Sequence, residues 1–424
     1  MSTDSVFTGS LSVDSDIKRL RRVVVHRPDP GIEWVTPSNA DSLLYDDIVF
    51  LPQMIHQHQR FVEILTSVLG QHSVFEFQDL LQDILKDPLV YEELLQVVIS
   101  FEQLQGRKAD KLRRLPAASL AAVLISGLIP GISQPMLPPL PNHIFTRDIG
   151  VAVNQSFFTC IAGKKARKRE SILAWFVAHH HPVFTGNQDQ KTTYVDLSKN
   201  PWELLVNLKD PKLAIEGGDI MLIDKDNLFI GSSLRTNEYS IKKAASIFFE
   251  QKVVERITLI EIPKHSNCIH LDTLFTQISQ SDFVFYKPFM DGELRIKQFR
   301  GDLHHKVDYR NLRELINDIR PGVRFIACGN GRYPYQEREQ YASGCNLVAL
   351  KDGVAVSYAR NLKTLEALKE RGYQIISAGE LLEGIKMGLV DPDKLTNTII
   401  TVRSSELTRA GGGPHCLTLP LERR

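Results

Sequence analysis

NLVALKDGVAVSYARNLKTLEALKERGYQIISA, Asn346 to Ala378, contains a complete run of four elements. NLVAL and GVAVSYA are apolar runs joined across Lys351-Asp352-Gly353, a turn signal that reads them as two paired strands. NLKTLEALKERG follows with helical spacing at Leu362, Leu365 and Leu368, Asn361 as N-cap and Gly372 as stop. QIISA returns to strand. The order is strand, strand, helix, strand.

The pattern recurs outward from this copy. DIMLID and NLFIGSS, flanking Asp224 to Asp226, lead into the helix TNEYSIKKAASIFFEQ and the strand RITLIEI. IFTRDIGVAV and SFFTCIAG precede the helix KARKRESILAWFVAHH and a strand PVFTG. RRVVVHRP, DDIVFL, the helix QMIHQHQRFVEILTSVLG and HSVFEF make a looser copy. A degraded one spans Asp282 to Ala327, with DFVFYKPF, YRNLRELINDI and VRFIA. Such units cannot bury their faces singly, so repetition suggests stacking around an axis. An ordinary alternating α/β sheet is the other architecture the periodicity allows. One segment breaks the pattern: Leu80 to Leu128 reads as successive helices, ending in the proline-rich GISQPMLPPLPN. An all-helical insertion is therefore expected over 76–140, and a disordered polar tail over 1–18.

Composition narrows the function. Lysine and arginine number 51 against 50 acidic residues, a net charge of +1, so no global field points to nucleic acid or an anionic membrane. The N-terminus MSTDSVFTGSLSVDSDIK lacks the basic start and apolar core of a signal peptide, and Leu115 to Ile129 is too short and interrupted to span a bilayer. The five scattered cysteines contain no CxxC, which fits reduced thiols and a cytoplasmic location. His179, His180 and His181 are consecutive at a helix end, where they diverge and complement the helix dipole, so no zinc spacing is read. No GxGxxG or phosphate loop is present.

Four motifs could carry chemistry. Cys416 follows three glycines in GGGPHCLT, a turn that could present a thiol beside His415. His270 and Asp272 in HLDT would share a face if extended. Glu216 and Asp219 flank a Gly-Gly turn just before a strand, and Asp148 lies early in another. Carboxylates at equivalent strand starts of different repeats would converge on one axis, and a negative pocket suits a planar guanidinium.

In order and spacing these motifs resemble the arginine deiminases, within the guanidino-group-modifying (amidinotransferase) superfamily. The matching stretches are LRRVVVHRP, TPSNADSLLYDD, PLPNHIFTRD, IEGGD, HLDT, NLVALKDGVAVSYARNLKT and GGGPHCLTLP, spanning most of the chain. The resemblance implies a pseudo-fivefold α/β propeller of ββαβ units over 19–424. Its deiminase branch has a helical insertion after the first unit, which favours that branch over glycine amidinotransferases. It implies Cys416 as nucleophile, His270 as general acid/base, Glu216 as partner of that histidine, and Asp148 and Asp272 as the guanidinium grip. It places Asn142, Arg167 and Arg235 at the α-amino and carboxylate end of arginine, with Asp219 as a supporting acid there. The pattern departs at Gly411, where many deiminases have arginine; Arg409 lies two residues earlier.

The implied reaction is L-arginine plus water to L-citrulline and ammonia through a covalent cysteine intermediate, without metal or organic cofactor. Amidino transfer to an amine, a second hydrolysis to ornithine, and arginine binding without catalysis are the alternatives. Arginine is the expected partner, with self-association as a family trait.

Overall fold

Alternating apolar runs separated by tight turns give this chain five small sheets. The computed structural model describes residues 10–129, 134–186, 191–265 and 268–424. In every sheet an edge strand pairs antiparallel with a second strand, and the second pairs in parallel with a third. The five edge pairs are Gly150–Val153 with Ser156–Thr159, Ile220–Asp224 with Asn227–Ser232, Phe275–Gln277 with Asp282–Phe285, Val348–Lys351 with Val354–Tyr358, and Leu419–Arg423 with Leu20–Val25. The parallel third strands are Thr193–Tyr194, Arg256–Glu261, Arg324–Ala327, Thr398–Val402 and Val74–Glu76. Strands buried on both faces read as near-continuous apolar runs, as in Val354–Tyr358 and Thr398–Val402, both wholly buried.

The last of these sheets joins the two ends of the chain and corrects the looser repeat. DDIVFL forms no strand; the helix Leu51–Leu69 begins at its last residue. The antiparallel partner of Leu20–Val25 comes instead from the C-terminus. That strand also lies against Gly150–Val153, so the terminal sheet abuts the next one in sequence.

Other expectations shift for local reasons. PVFTG is a helical turn, Pro182–Thr185, because Pro182 occupies its first position and the His181 side chain accepts from Val183 N. The short strand Thr193–Tyr194 takes the place expected for it. In the repeat read first, Thr398–Val402 inserts between Val354–Tyr358 and Gln374–Ser377, parallel to both. The helix Leu362–Glu370 is capped by the Glu339 carboxylate, which accepts from Lys363 N and Thr364 N at 2.8 and 2.7 Å. Asn361 turns its amide to Ala342 O instead.

Residues 10–18 are not a disordered tail. Val13 bridges Asn154, Ser12 bridges Glu422, and Leu11, Val13 and Ile17 are buried. LSV carries the period-two alternation of a half-buried strand, which the polar residues around it mask. Residues 1–9 of the expected tail lie outside the described residues.

Helices Phe77–Ile84, Pro88–Glu102, Arg107–Arg113 and Ala117–Ser126 occupy the stretch after Val74–Glu76. Pro88 at the first position and the Asp87 carboxylate on Leu89 N start the longest of them. Their faces, including Leu81, Leu94, Leu95 and Leu124, share one core with Leu173 and Phe176 of the helix Lys168–His180. Among the described residues no helix is long and apolar enough to cross a membrane.

Candidate active site

The residues just ahead of the five edge strands converge. Three are set by one-turn 3-10 helices, Thr146–Ile149, Gly217–Asp219 and Leu271–Thr273, each at or near the start of an edge strand. These turns carry Asp148, Asp219 and Asp272, with Glu216 and His270 at the caps of the second and third. The other two strands follow Asn346 and Cys416. Each sheet therefore sends polar side chains to one place. The Gly-Gly of EGGD is needed for that approach: a Cβ on Gly218 would lie 2.7 Å from His270 Nδ1 and 2.8 Å from Asp148 Oδ1.

Cys416 lies with its Sγ 3.5 Å from Asp272 Oδ2, and its backbone N–H donates to Asn346 Oδ1 at 3.1 Å. Asn346 also donates to the Asp272 carbonyl at 3.0 Å, tying the Cys416 turn to the turn that carries Asp272. His415 Nδ1 holds Asp272 Oδ2 at 2.8 Å. On the other wall, His270 Nε2 is 3.0 Å from Glu216 Oε2 and its Nδ1 is 3.7 Å from Asp148 Oδ1. Asp219 accepts from Ser233 Oγ at 2.6 Å and from Leu271 N at 3.0 Å, so it fixes the turn that carries His270 and Asp272. Leu44, Asn142, Asp148, Arg167, Arg235, His270 and Cys416 line one cavity of about 40 Å³, room for water but not for an amino-acid side chain.

Arg167 fills the carboxylate-lined wall. Its guanidinium donates to Asp148 Oδ2 at 2.6 Å, Glu216 Oε2 at 3.3 Å and Glu170 Oε2 at 2.8 Å, and to the Asn142 carbonyl at 3.3 Å. Asp148, Glu216 and His270 bring ligand atoms within 4.8 Å of one another, close enough for a metal ion, but the cation they face is this guanidinium. Arg235 Nη1 stands 4.0 Å from Glu216 Oε1, and the Asn142 amide donates to Leu43 O at 2.6 Å.

Burial and charge set the protonation states. Burial alone would lower His270, yet Asp148, the Glu216 hydrogen bond and Asp219 raise it to about 9, so it is an imidazolium at neutral pH. Burial pushes Glu216 up, but Arg167 and His270 hold it near 2. Asp219 is raised to about 7 by burial against His270 and its hydrogen bonds. Asp272 stays below the usual carboxylate range because His415 outweighs its burial. Burial, Asp272 and Asp148 all push the Cys416 thiol well above its ordinary value. Without a bound cation Cys416 is a thiol.

Of the nine residues singled out in the sequence, six line this cavity; Glu216 and Asp272 contact His270 and Cys416 from behind it, and Asp219 holds Ser233 and the backbone of Leu271. HLDT is a turn rather than a strand, so His270 and Asp272 reach different partners instead of sharing a strand face. Asp148 likewise sits in a turn, not in a strand. Sequence reasoning passed over Asn346, the residue that opens the repeat quoted first and stands where Asp148 and Asp219 stand in theirs. It also passed over Glu170, whose carboxyl burial raises to about 7 against the pull of Arg167.

The arginine deiminase family profile matches residues 131–423. The chain belongs to the arginine deiminase family. It is thereby a hydrolase acting on the C–N bond of a guanidino group. Arginine deiminases of Borrelia garinii subsp. bavariensis and Borreliella afzelii are each 27% identical to it, over 98% of this chain and 98% of theirs. Three solved structures share the α/β fold at lower identity. The product-bound N-terminal domain of ArgZ, a cyanobacterial arginine dihydrolase, has TM-score 0.51 and 14% identity, covering 95% of this chain and 97% of its own. DDAH from Pseudomonas aeruginosa with citrulline has TM-score 0.50 and 14% identity, covering 95% and 99%. SxtG, an amidinotransferase from Microseira wollei, has TM-score 0.53 and 13% identity, covering 98% and 97%.

Proposed function

We propose that this chain hydrolyses L-arginine to L-citrulline and ammonia through a covalent adduct on Cys416. One observation carries the reading: the Cys416 thiol shares one cavity with His270 and Asp148 and lies 3.5 Å from Asp272 Oδ2. We read the five sheets as the blades of a pseudo-fivefold propeller around that cavity, with the helices after Val74–Glu76 as an insertion.

Arg167 supports the reading from inside the protein, since these carboxylates already hold a guanidinium. An arginine side chain cannot enter beside it, so Arg167 gives up Asp148 when substrate binds. It then turns its donors toward the α end, with Asn142 and Arg235, while Asp219 keeps the His270 turn in place. The substrate guanidinium takes Asp148 and Asp272 bidentately. Its positive charge cancels the two acids that raise Cys416, and the thiol loses its proton as the site fills.

The thiolate attacks the guanidino carbon. The His270 imidazolium, held by Glu216, donates its proton to the departing nitrogen, and ammonia leaves. The neutral imidazole then takes a proton from water. The hydroxide adds to the amidino-thioether carbon, and collapse expels the Cys416 sulfur, which takes up the hydroxyl proton, with citrulline as product. Five scattered cysteines with no CxxC fit a reducing, cytoplasmic setting.

The test is product analysis. Purified protein with arginine should release citrulline and ammonia in equal amounts, with or without added glycine. Guanidinoacetate formed from glycine would move the chain to amidino transfer, and ornithine with two ammonia per arginine to a dihydrolase.

A further inference from the structure

Four of the five edge strands meet around a second set of buried charges, none of which lines the Cys416 cavity. Arg423 ends the strand Leu419–Arg423, and its Nη1 donates to Ala349 O at 2.9 Å and to Lys18 O at 2.8 Å. Asp16 donates its backbone N–H to Leu222 O at 3.0 Å. Arg147 comes from the turn ahead of Gly150–Val153. All three are nearly closed to solvent: Arg147 and Arg423 are 2% and 1% exposed, and Asp16 6%. Arginine keeps its proton at neutral pH. Burial and Arg147 draw Arg423 down only to about 10, against the pull of Asp16. Two guanidiniums therefore share one carboxylate, and that carboxylate does not satisfy them. Arg147 Nη1 stands 3.8 Å from Asp16 Oδ1, beyond hydrogen-bond reach, and Asp16 Oδ2 has no hydrogen-bond partner among the described residues. Nor have Nε and Nη2 of Arg147, or Nε and Nη2 of Arg423. The nearby acids are committed elsewhere. Glu422 is held by Arg22 and Arg424 at 2.6 and 2.7 Å, and Asp272, which Arg147 helps to keep ionised, is held by His415 at 2.8 Å.

Buried charges are stable where they are paired, and buried N–H groups in native proteins nearly always have an acceptor. On each arginine the two unpartnered nitrogens are neighbours on one edge of the planar fork, the edge that grips an anion side-on. We propose that Arg147 and Arg423 hold a buried monovalent anion the size of chloride, each through the Nε–Nη2 edge of its guanidinium. With one such anion the two guanidiniums and Asp16 sum to neutrality, whereas a dianion would overfill the site. Enclosure by the strands sets the size limit, and Asp16 sets the charge limit. The ligand joins the N-terminal segment of Asp16 and the last strand of the chain to the turn before Gly150–Val153. Its binding therefore registers as stability of the closed chain, independently of the reaction at Cys416.

Thermal unfolding of the full chain in sodium chloride, sodium bromide and sodium gluconate, at matched ionic strength and pH 7, tests the assignment. Chloride and bromide should raise the unfolding temperature along a saturating curve, as a ligand of the native state does. Gluconate, too large for an enclosed site, should give only the general effect of salt. Arg423→Gln should bring the chloride and gluconate curves together. Asp16→Asn removes the negative charge that competes with the anion, and should lower the half-saturating chloride concentration by about tenfold or more. Were Asp16 the only counter-ion the cluster uses, the same substitution would cost stability and leave the chloride dependence unmoved. Bromide-soaked crystals of the unmodified protein should show an anomalous peak between the two guanidiniums, a reading that survives if neither variant folds. Superimposable curves in the three salts would overturn the proposal. So would a chloride increment that persists in Arg423→Gln, a half-saturation unchanged in Asp16→Asn, or a bromide crystal with no peak at that place.

Discussion

Two buried clusters in this protein each raise one histidine to about 9, and only the His270 cluster lines the cavity that holds Cys416. In the first, Asp148, Glu216 and Asp219 overcome the burial of His270. In the second, Glu76 and Asp29 do the same for His26, with Nδ1 2.6 Å from Glu76 Oε1 and Nε2 3.6 Å from Asp29 Oδ2. The second adds two neutral imidazoles, His143 and His58, both lowered by burial. His143 lies with its ring 4.9 Å from that of His26 and 4.4 Å from that of Phe77. The clusters are joined through one turn, because His143 adjoins Asn142 of the inner cavity. What separates them is space and a thiol. The His270 cluster lines a cavity with a thiol on its wall; the His26 cluster is closed by aromatic packing. A perturbed titratable group marks a candidate site only where a reactant can reach it.

The comparison breaks first at Cys416. Cys416→Ser should lower citrulline formation below detection while leaving the fold intact, because serine keeps the size of the side chain and the Asn346 contact is to the backbone. Acid quenching of a slow variant during turnover should trap added mass on the C-terminal peptide containing Cys416. Wild-type activity in Cys416→Ser with an unmodified peptide would remove the covalent mechanism.

His270 gives the next largest effect. His270→Ala should cost a factor of about 10² to 10⁴, the usual range for losing general acid/base help. The sign of its pH dependence follows from the raised value: the proton destined for ammonia is present below about 9 and lost above it. kcat/KM should therefore fall on the alkaline side of about pH 9. The His26 cluster, with a similar value, should contribute nothing to that limb, so a His26→Gln protein that folds should keep it. A limb that moves with His26 instead would erase the distinction between the clusters.

The sequence made much of this legible because the repeat has a period. Paired apolar runs around Lys351-Asp352-Gly353 and Asp224 to Asp226 specify hairpins locally, and those hairpins form where expected. Pairings between distant segments were less legible. Nothing near Leu20–Val25 reveals that its neighbour is Leu419–Arg423, since that choice is made by closing the chain on itself rather than by local propensity. The acids and the cysteine could be found as charged or thiol groups beside glycine turns. Asn346 was hidden because an amide before a strand looks like ordinary turn chemistry. The engagement of Arg167 by the acids was beyond reach from sequence, because Asp148 and Glu216 come from separate segments and meet it beside Glu170 only in the folded chain.

The smallest expected effect sharpens the comparison from the structural side. His58 is buried, and burial, reinforced by His26 and opposed by Glu76, lowers it from 6.5 to about 4. Below pH 6.5 the unfolded chain takes up a proton that folded His58 refuses, so stability falls as pH drops from 6.5 toward 4, by at most about 3 kcal/mol from this residue. His26 acts with the opposite sign: its contribution is complete below 6.5 and disappears as pH rises through about 9. His58→Leu should therefore flatten the acid side of a melting-temperature profile and leave the alkaline side unchanged. At pH 7 the substitution should be nearly neutral, because His58 Nε2 has no hydrogen-bond partner among the described residues, and an apolar side chain of similar size removes an unsatisfied buried atom. Turnover at pH 7 should match the unmodified protein. If His58→Leu instead slows citrulline formation while the protein remains folded, the histidine cluster is coupled to the cavity through His143 and Asn142. The boundary drawn between the two clusters would then be wrong.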